Sequence, residues 1–159
     1  MEKQTLLSIE NLSVTFGSGA RAFRAVDGVS LKVNAGEVLA VVGESGSGKS
    51  VSMMALMGLL PDSAAITADK LEFDGQNLQT LSARDKRKII GKDISMIFQD
   101  AMTSLNHSFN VQMQNGEVLK AHLGRRGAAV KQRILALLDL VEIPDAKNRT
   151  NEYTNQRSG

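Results

Sequence analysis

The sequence contains no cysteine among its 159 residues. This excludes disulfides, thiolate metal sites and a cysteine nucleophile, and it is typical of a protein in a reducing compartment. Long apolar runs are also lacking, because the longest, at residues 53–60, is interrupted by Gly58 and falls short of the roughly 18 to 20 residues of a membrane span. Residues 1–4 do not begin a signal peptide. We therefore expect a cytoplasmic setting, with any membrane association made through a partner.

Neither positive nor negative charge is in large excess. The net charge is +2 and charged residues make up 23% of the chain. The basic residues are spread along the sequence and form no patch of the kind that binds nucleic acid. A hydrophobic content of 42% is enough for one globular domain with a core.

The first 60 residues predict part of an α/β fold. Alternating and β-branched residues favour two antiparallel strands, at 6–16 and 25–33. A continuous apolar run at 38–42 is typical of a strand buried on both faces. Residues 49–60 then predict a helix that Pro61 ends. These predictions place a strand, a glycine-rich loop and a helix in that order along the chain.

The rest of the chain alternates short strands with helices. It predicts half of a small hairpin at 70–75, a basic helix that Ser82 caps and Gly91 ends, a buried strand at 94–98, and helices at 111–123 and 128–141. The sequence as a whole therefore favours an α/β fold with antiparallel N-terminal strands, a mixed core sheet and a helical part.

A phosphate-binding loop, the phosphate loop hereafter, is predicted between the run at 38–42 and the helix after it. It matches the pattern G-x-x-x-x-G-K-[ST] with Gly43, Glu44, Ser45, Gly46, Ser47, Gly48, Lys49 and Ser50. Glycines let successive N–H groups converge on phosphate oxygens, and the helix presents its positive N-terminus to the same anion. We expect Lys49 to reach the β- and γ-phosphates and Ser50 to offer its hydroxyl to Mg²⁺. Val51 completes the predicted nucleotide site.

Other interpretations of this loop are weaker. A chance glycine-rich turn would not be expected to follow a buried-strand pattern and open a helix. A dinucleotide-binding fold is disfavoured because the glycines at 46 and 48 lack the third glycine of G-x-G-x-x-G. A G-protein is disfavoured because no Asn-Lys-x-Asp motif occurs. The loop therefore predicts binding of a nucleoside triphosphate, with ATP as the expected one.

Several stretches around the loop occur in a specific order. They read Val-Asp-Gly-Val-Ser-Leu at 26–31, Ala-Gly-Glu at 35–37, Leu-Glu-Phe-Asp-Gly-Gln-Asn-Leu at 71–78 and Met-Ile-Phe-Gln-Asp at 96–100. Together with the loop, they resemble the ATP-binding subunits of ABC transporters. The run Met-Thr-Ser-Leu-Asn at 102–106 is similar to the subgroup that imports dipeptides and oligopeptides, most of all dipeptides.

The resemblance implies roles for residues outside the loop. Gln99 falls where the family has its Q-loop glutamine, which senses Mg²⁺ and the γ-phosphate and, with Lys49, belongs to the catalytic set. Without the resemblance, Gln99 would be interpreted as a polar residue at a strand end. Phe16 falls where the family stacks an aromatic ring on adenine, although a core phenylalanine is an equal alternative. Ser158 and Gly159 match the start of the signature motif.

The same resemblance implies partners and cofactors. A family member binds ATP and Mg²⁺, pairs with a second ATP-binding subunit and contacts transmembrane permease subunits, which receive peptides from a binding protein. It lies at the cytoplasmic face of the bacterial inner membrane and hydrolyses ATP to drive uptake. Residues 1–100, with a missing C-terminal part, would form the ATP-binding core, and 101–159 a helical subdomain that runs into the signature.

The family also needs an Asp-Glu strand end and a later histidine, which residues 1–159 do not contain. Asp139 is interpreted as a helix-surface residue, and both histidines as surface or loop positions. Departures from the subgroup pattern follow Gln99, at Ala101, His107, Gln112, Asn115, Thr154, Asn155 and Arg157. An intact loop with an altered far end predicts a fragment or a decaying copy, and the alternative function is a nucleotide-binding module without turnover. We also expect exposed sheet edges and apolar surface.

Overall fold

The computed structural model describes residues 4–99, 106, 108–124 and 126–152. The chain divides into two compact units, residues 1–90 and residues 91–159, called unit 1 and unit 2 below. The division near residue 100 that the resemblance implies stays a prediction.

Unit 1 is built on a five-stranded antiparallel sheet. Strand β1 (Thr5–Phe16) pairs along its whole length with β2 (Phe23–Asn34), and a short 3-10 turn at Gly19–Arg21 connects them. The other edge of β1 pairs with β3 (Ala64–Thr67) and β4 (Lys70–Phe73), and β4 pairs with β5 (Gln76–Asn77). The first two strands and the small hairpin confirm the sequence predictions. Strand β3 was not predicted, because four residues with no alternation carry too little pattern.

Helix α1 (Lys49–Met57) packs against β1 and β2. It ends at Gly58, earlier than the predicted Pro61, because Gly58 adopts a left-handed conformation and its N–H bonds to the last carbonyls of the helix. Helix α2 (Ala83–Ile89) follows in unit 1, and the Ser82 hydroxyl accepts from Asp85 N–H as an N-cap, as predicted. The buried apolar residues of unit 1 are Ile9, Leu12, Val14, Val26, Ala55, Leu56, Met57, Leu71, Leu78 and Ile89.

The predicted buried strand at 38–42 is wrong for this structure. The segment pairs with no described strand, and Val38 and Val42 are 96% and 89% exposed. A strand exists only through hydrogen bonds to a neighbour, so an apolar run without one stays irregular. The exposed apolar surface expected from the sequence is confirmed here.

The predicted buried strand at 94–98 is also wrong. Ile94 forms one isolated bridge and its carbonyl accepts from Gly91 N–H, while residues 95–98 belong to no strand. The side chain of Ile97 is 96% exposed. The same lack of a neighbouring strand accounts for both segments.

The described part of unit 2 contains three helices, α3 (Val111–Leu123), α4 (Ala128–Leu140) and α5 (Ala146–Arg149). The first two confirm the predicted helices within one residue. Apolar side chains from all three helices form one core, which consists of Val111, Leu119, Val130, Ile134, Leu138 and Ala146. Within the described part of the chain, no helix is both long enough and apolar enough to cross a membrane.

The start of α3 is held by the chain that follows α5. The N–H groups of Val111 and Gln112 donate to the carbonyls of Glu152 and Thr150, and the Asn110 side chain accepts from Met113 N–H. Thr150 is fully buried at this junction. Helix N-termini leave N–H groups without partners inside the helix, so these contacts fix residues 150–152 onto α3.

Two of the departures from the subgroup pattern lie on α3. Gln112 is half-buried, and Asn115 is exposed and donates its side-chain amide to the carbonyl of Val111, 2.9 Å away. The polar group that replaces an aliphatic one therefore has a hydrogen-bond partner, and α3 accommodates it without a buried unpaired donor.

Candidate functional site

The phosphate loop lies directly before α1, as its sequence predicts. Its backbone turns through positive φ at Gly46 (+82°) and Gly48 (+87°), a region that side chains with a Cβ rarely occupy. Gly48 is the N-cap of α1 and has no side chain to accept from the first N–H groups of the helix. The open N-terminus of a helix favours an anion, which is the electrostatic property the loop needs.

Lys49 folds back over the phosphate loop. Its Nζ donates to the carbonyl oxygens of Gly43 at 2.7 Å and Glu44 at 2.6 Å, and to the Ser47 hydroxyl at 3.1 Å. The ammonium group therefore lies inside the curve of the loop. A bound phosphate group there would meet this positive charge and the helix N-terminus together.

Side chains at two of the loop glycines would crowd neighbouring atoms. A Cβ at Gly43 would lie 2.8 Å from Ser47 Oγ and 3.8 Å from Lys49 Nζ. A Cβ at Gly48 would lie 2.6 Å from the carbonyl oxygen of Ala25 on β2. Such close approach is the reason glycine occurs at these positions, and the residues present fit a triphosphate chain.

The remaining loop residues are open to solvent. Glu44, Ser45 and Ser50 are exposed, and Val51 is half-buried in the first turn of α1. Ser50 directly follows Lys49 in the sequence, so its hydroxyl also lies in the first turn of α1. Among the described residues, no group of three His, Asp or Glu side chains is placed to hold a metal ion.

Phe16 is the last residue of β1, half-buried, and lies opposite Phe23 in the β1–β2 register. It is not among the fully buried residues of unit 1, and the choice between adenine stacking and a core position stays a prediction. Phe23 was not predicted as a site residue from the sequence. The available signal was an aromatic residue shortly after the glycine-rich break, just before the predicted second strand.

The other predicted site residues lie in unit 2 or beyond the described ranges. Gln99 is exposed and follows the irregular segment 95–98. Ser158 and Gly159 lie outside the described residues, as does His107. Asp139 is exposed on α4, as predicted, whereas His122 is half-buried in α3, close enough to Gly91 that a Cβ there would lie 2.8 Å from its Nε2.

Comparison with known sequences finds close relatives. The model of the ABC transporter family matches residues 26–159. The dipeptide transport ATP-binding protein DppD of Escherichia coli (strain K12) is 47% identical over 154 residues, which cover 97% of this chain and 47% of that protein. DppD of Haemophilus influenzae is 49% identical over the same shares of the two chains. DppD of Bacillus subtilis (strain 168) is 45% identical and covers 100% and 47%. The chain therefore spans about half the length of these curated relatives.

Comparison with solved structures finds the same fold. The dimeric structure of MJ0796, described as a bacterial ABC transporter cassette, superposes with a TM-score of 0.77 at 24% identity, covering 97% of this chain and 64% of that one. A post-hydrolysis state of the MJ0796 cassette, described as bound to ADP and Pi, gives 0.74 at 23% identity, covering 96% and 63%. At these identities the similarity establishes the fold.

Proposed function

Because this chain belongs to the ABC transporter family, we propose that it is the nucleotide-binding part of an importer of dipeptides or oligopeptides. It binds Mg·ATP, and the complete subunit hydrolyses ATP to drive uptake. The observation that carries the proposal is Lys49, whose ammonium lies within 2.6–3.1 Å of three loop oxygens at an open helix N-terminus. The DppD relatives, described as dipeptide transport ATP-binding proteins, support the solute class.

Residues of the phosphate loop would hold the triphosphate. Backbone N–H groups at Gly46 and Gly48 face phosphate oxygens in loops of this kind, and Lys49 exchanges its carbonyl partners for them. Ser50 supplies a hydroxyl to Mg²⁺, which, when bound, neutralises charge on the β- and γ-phosphates. The proposed sensing role of Gln99 rests on its place in the family pattern.

We further propose that the complete protein pairs with a second ATP-binding subunit and docks onto transmembrane permease subunits at the cytoplasmic face of the bacterial inner membrane. The description of MJ0796 as dimeric and the transport names of the relatives support this assembly.

The test is direct binding of Mg·ATP to the purified chain by titration calorimetry. Lys49→Ala removes charge-assisted hydrogen bonds worth about 1.5–3 kcal/mol, so we expect about 10- to 150-fold weaker binding. Lys32→Ala, which removes an equal charge from an exposed position on β2, is the matched control and should bind as the unmodified chain does. Equal affinity in the Lys49→Ala variant and the unmodified chain would contradict the proposal.

A further inference from the structure

Two phenylalanines form a pair at the end of the β1–β2 hairpin. Phe16 and Phe23 are directly opposite each other in the register. The side chains of such a pair point to the same face of the sheet, with Cβ atoms about 4.5–5.5 Å apart. Phe16 is half-buried, whereas Phe23 is 65% exposed. The hairpin therefore presents one open aromatic side chain next to a partly covered one.

The pair lies on the face of the sheet that meets the phosphate loop. Val14 and Val26 are opposite each other in the register, and a Cβ at Gly48 would lie 3.2 Å from Val26 Cγ2. Side chains two residues apart on a strand share a face, so Phe16 is on the same face as Val14 and about 7 Å farther along β1. The aromatic pair and the loop are thus neighbours on one side of unit 1.

A bulge in β2 produces this arrangement. The register steps from Val14–Val26 to Thr15–Arg24, which leaves Ala25 as an extra residue. Bulges change the side to which the following residues point. Phe23 and Val26 are three residues apart and would face opposite ways in a regular strand, but the bulge places both on the face of the phosphate loop. The carbonyl of the bulged Ala25 is the atom nearest to the Cβ position of Gly48.

We propose that Phe23 is a second base-binding residue, which together with Phe16 forms an aromatic platform for the adenine of a nucleotide held by the phosphate loop. The inference rests on the proposed binding of ATP and adds a residue to that site. An exposed phenyl ring is available for stacking on the flat face of a base. If the two phenylalanines only stabilised the hairpin by packing on each other, the environment of Phe23 would not change when the base of a ligand is present.

Fluorescence gives a direct test, because the chain contains no tryptophan. In Phe23→Trp, the new indole is the only one, and we expect Mg·ATP to quench or shift its emission, whereas Mg·tripolyphosphate, which has no base, leaves it unchanged. Phe73→Trp, on β4 of the same sheet, is the matched control and should not respond to either ligand. A Phe23→Trp variant that binds Mg·ATP by calorimetry without any change in emission would overturn the proposal.

Affinity gives a second readout. Phe23→Leu keeps an apolar side chain but removes the ring. Mg·ATP should therefore bind about 5- to 150-fold more weakly, which corresponds to about 1–3 kcal/mol for one stacked base, while tripolyphosphate binding stays unchanged. Lys49→Ala should weaken the binding of both ligands. Unchanged ATP affinity in Phe23→Leu, with the Lys49 effect intact, overturns the role of Phe23 alone, whereas ATP binding that is independent of Lys49 overturns the proposed function.

Discussion

At the residue scale, Gly48 is where the phosphate loop touches the sheet. It combines a positive φ of +87° with a Cβ position only 2.6 Å from a backbone oxygen. Gly46, two residues earlier, has a similar φ of +82° but no atom within 4 Å of its Cβ position. Substitutions at these two glycines therefore distinguish two free-energy costs. The cost of a side chain on left-handed backbone applies to both positions, whereas the cost of a steric clash applies only to Gly48.

We predict that Gly46→Ala costs about 1–2 kcal/mol of stability, from left-handed backbone strain alone. Gly48→Ala should cost more, because the backbone of Ala25 must also move, and it should displace the loop from its position for phosphate binding. Urea unfolding of both variants measures the difference. Equal destabilisation would mean that the contact with Ala25 carries no strain.

At the element scale, the Asp85 carboxyl lies in the first turn of the short helix α2. The ammonium of Lys88, 2.6 Å away, and then the Ser82 hydroxyl hold the pKa of the Asp85 carboxyl below its usual value. A carboxyl with a lowered pKa in the folded protein stabilises it above its ordinary pKa, and this contribution is lost as the pH falls through the pKa of the folded state.

We therefore predict that Asp85→Asn lowers the free energy of unfolding at pH 7, where the Asp85 carboxyl is ionised. The difference from the unmodified chain should shrink below about pH 4 as the aspartate becomes protonated. Urea unfolding of both proteins at pH 7 and at pH 3 measures it. A difference that persists unchanged at pH 3 would show that charge on Asp85 is not the cause.

Helix α3 supplies the second prediction at this scale. Asn110 accepts from Met113 N–H at 2.8 Å, so Asn110→Ala should cost about 0.5–2 kcal/mol of stability and Asn110→Asp should retain the cap. Asn151→Ala, which removes an exposed asparagine amide, is the control. Thermal unfolding followed by circular dichroism distinguishes them. Stability that is the same in the Asn110→Ala and Asn151→Ala variants would contradict the capping role.

At the scale of the whole molecule, the segment 38–42 exposes Val38 and Val42 almost fully, and Leu39 and Val41 in part. Contiguous exposed apolar surface of this kind promotes association in water. No strand among the described residues pairs with this segment.

We predict that the chain self-associates as its concentration rises and that the double variant Val38→Lys with Val42→Lys suppresses this association. Sedimentation velocity measures both effects. The control, Val118→Lys with Leu140→Lys, adds the same charge at exposed apolar positions of unit 2. Since net charge alone also opposes association, equal suppression by both double variants would show that the segment 38–42 is not responsible.

Features whose contacts are local could be predicted from the amino-acid sequence. The pattern at 43–50 predicted the turn that Gly46 and Gly48 make. Helices α3 and α4 lie within one residue of their predicted bounds, because their hydrogen bonds join residues four apart. The Ser82 cap depends on Asp85, three residues away, and was predicted for the same reason.

Contacts between distant parts of the chain determine which apolar runs become strands and which aromatic ring is exposed. Residues 38–42 and 94–98 have strand composition, yet a strand needs a partner from a distant part of the chain, and none of the described strands pairs with 38–42 or extends 94–98 beyond one bridge. The bulge at Ala25 is equally invisible in the sequence, because it is a property of two strands in register. That bulge places Phe23 on the face of the phosphate loop.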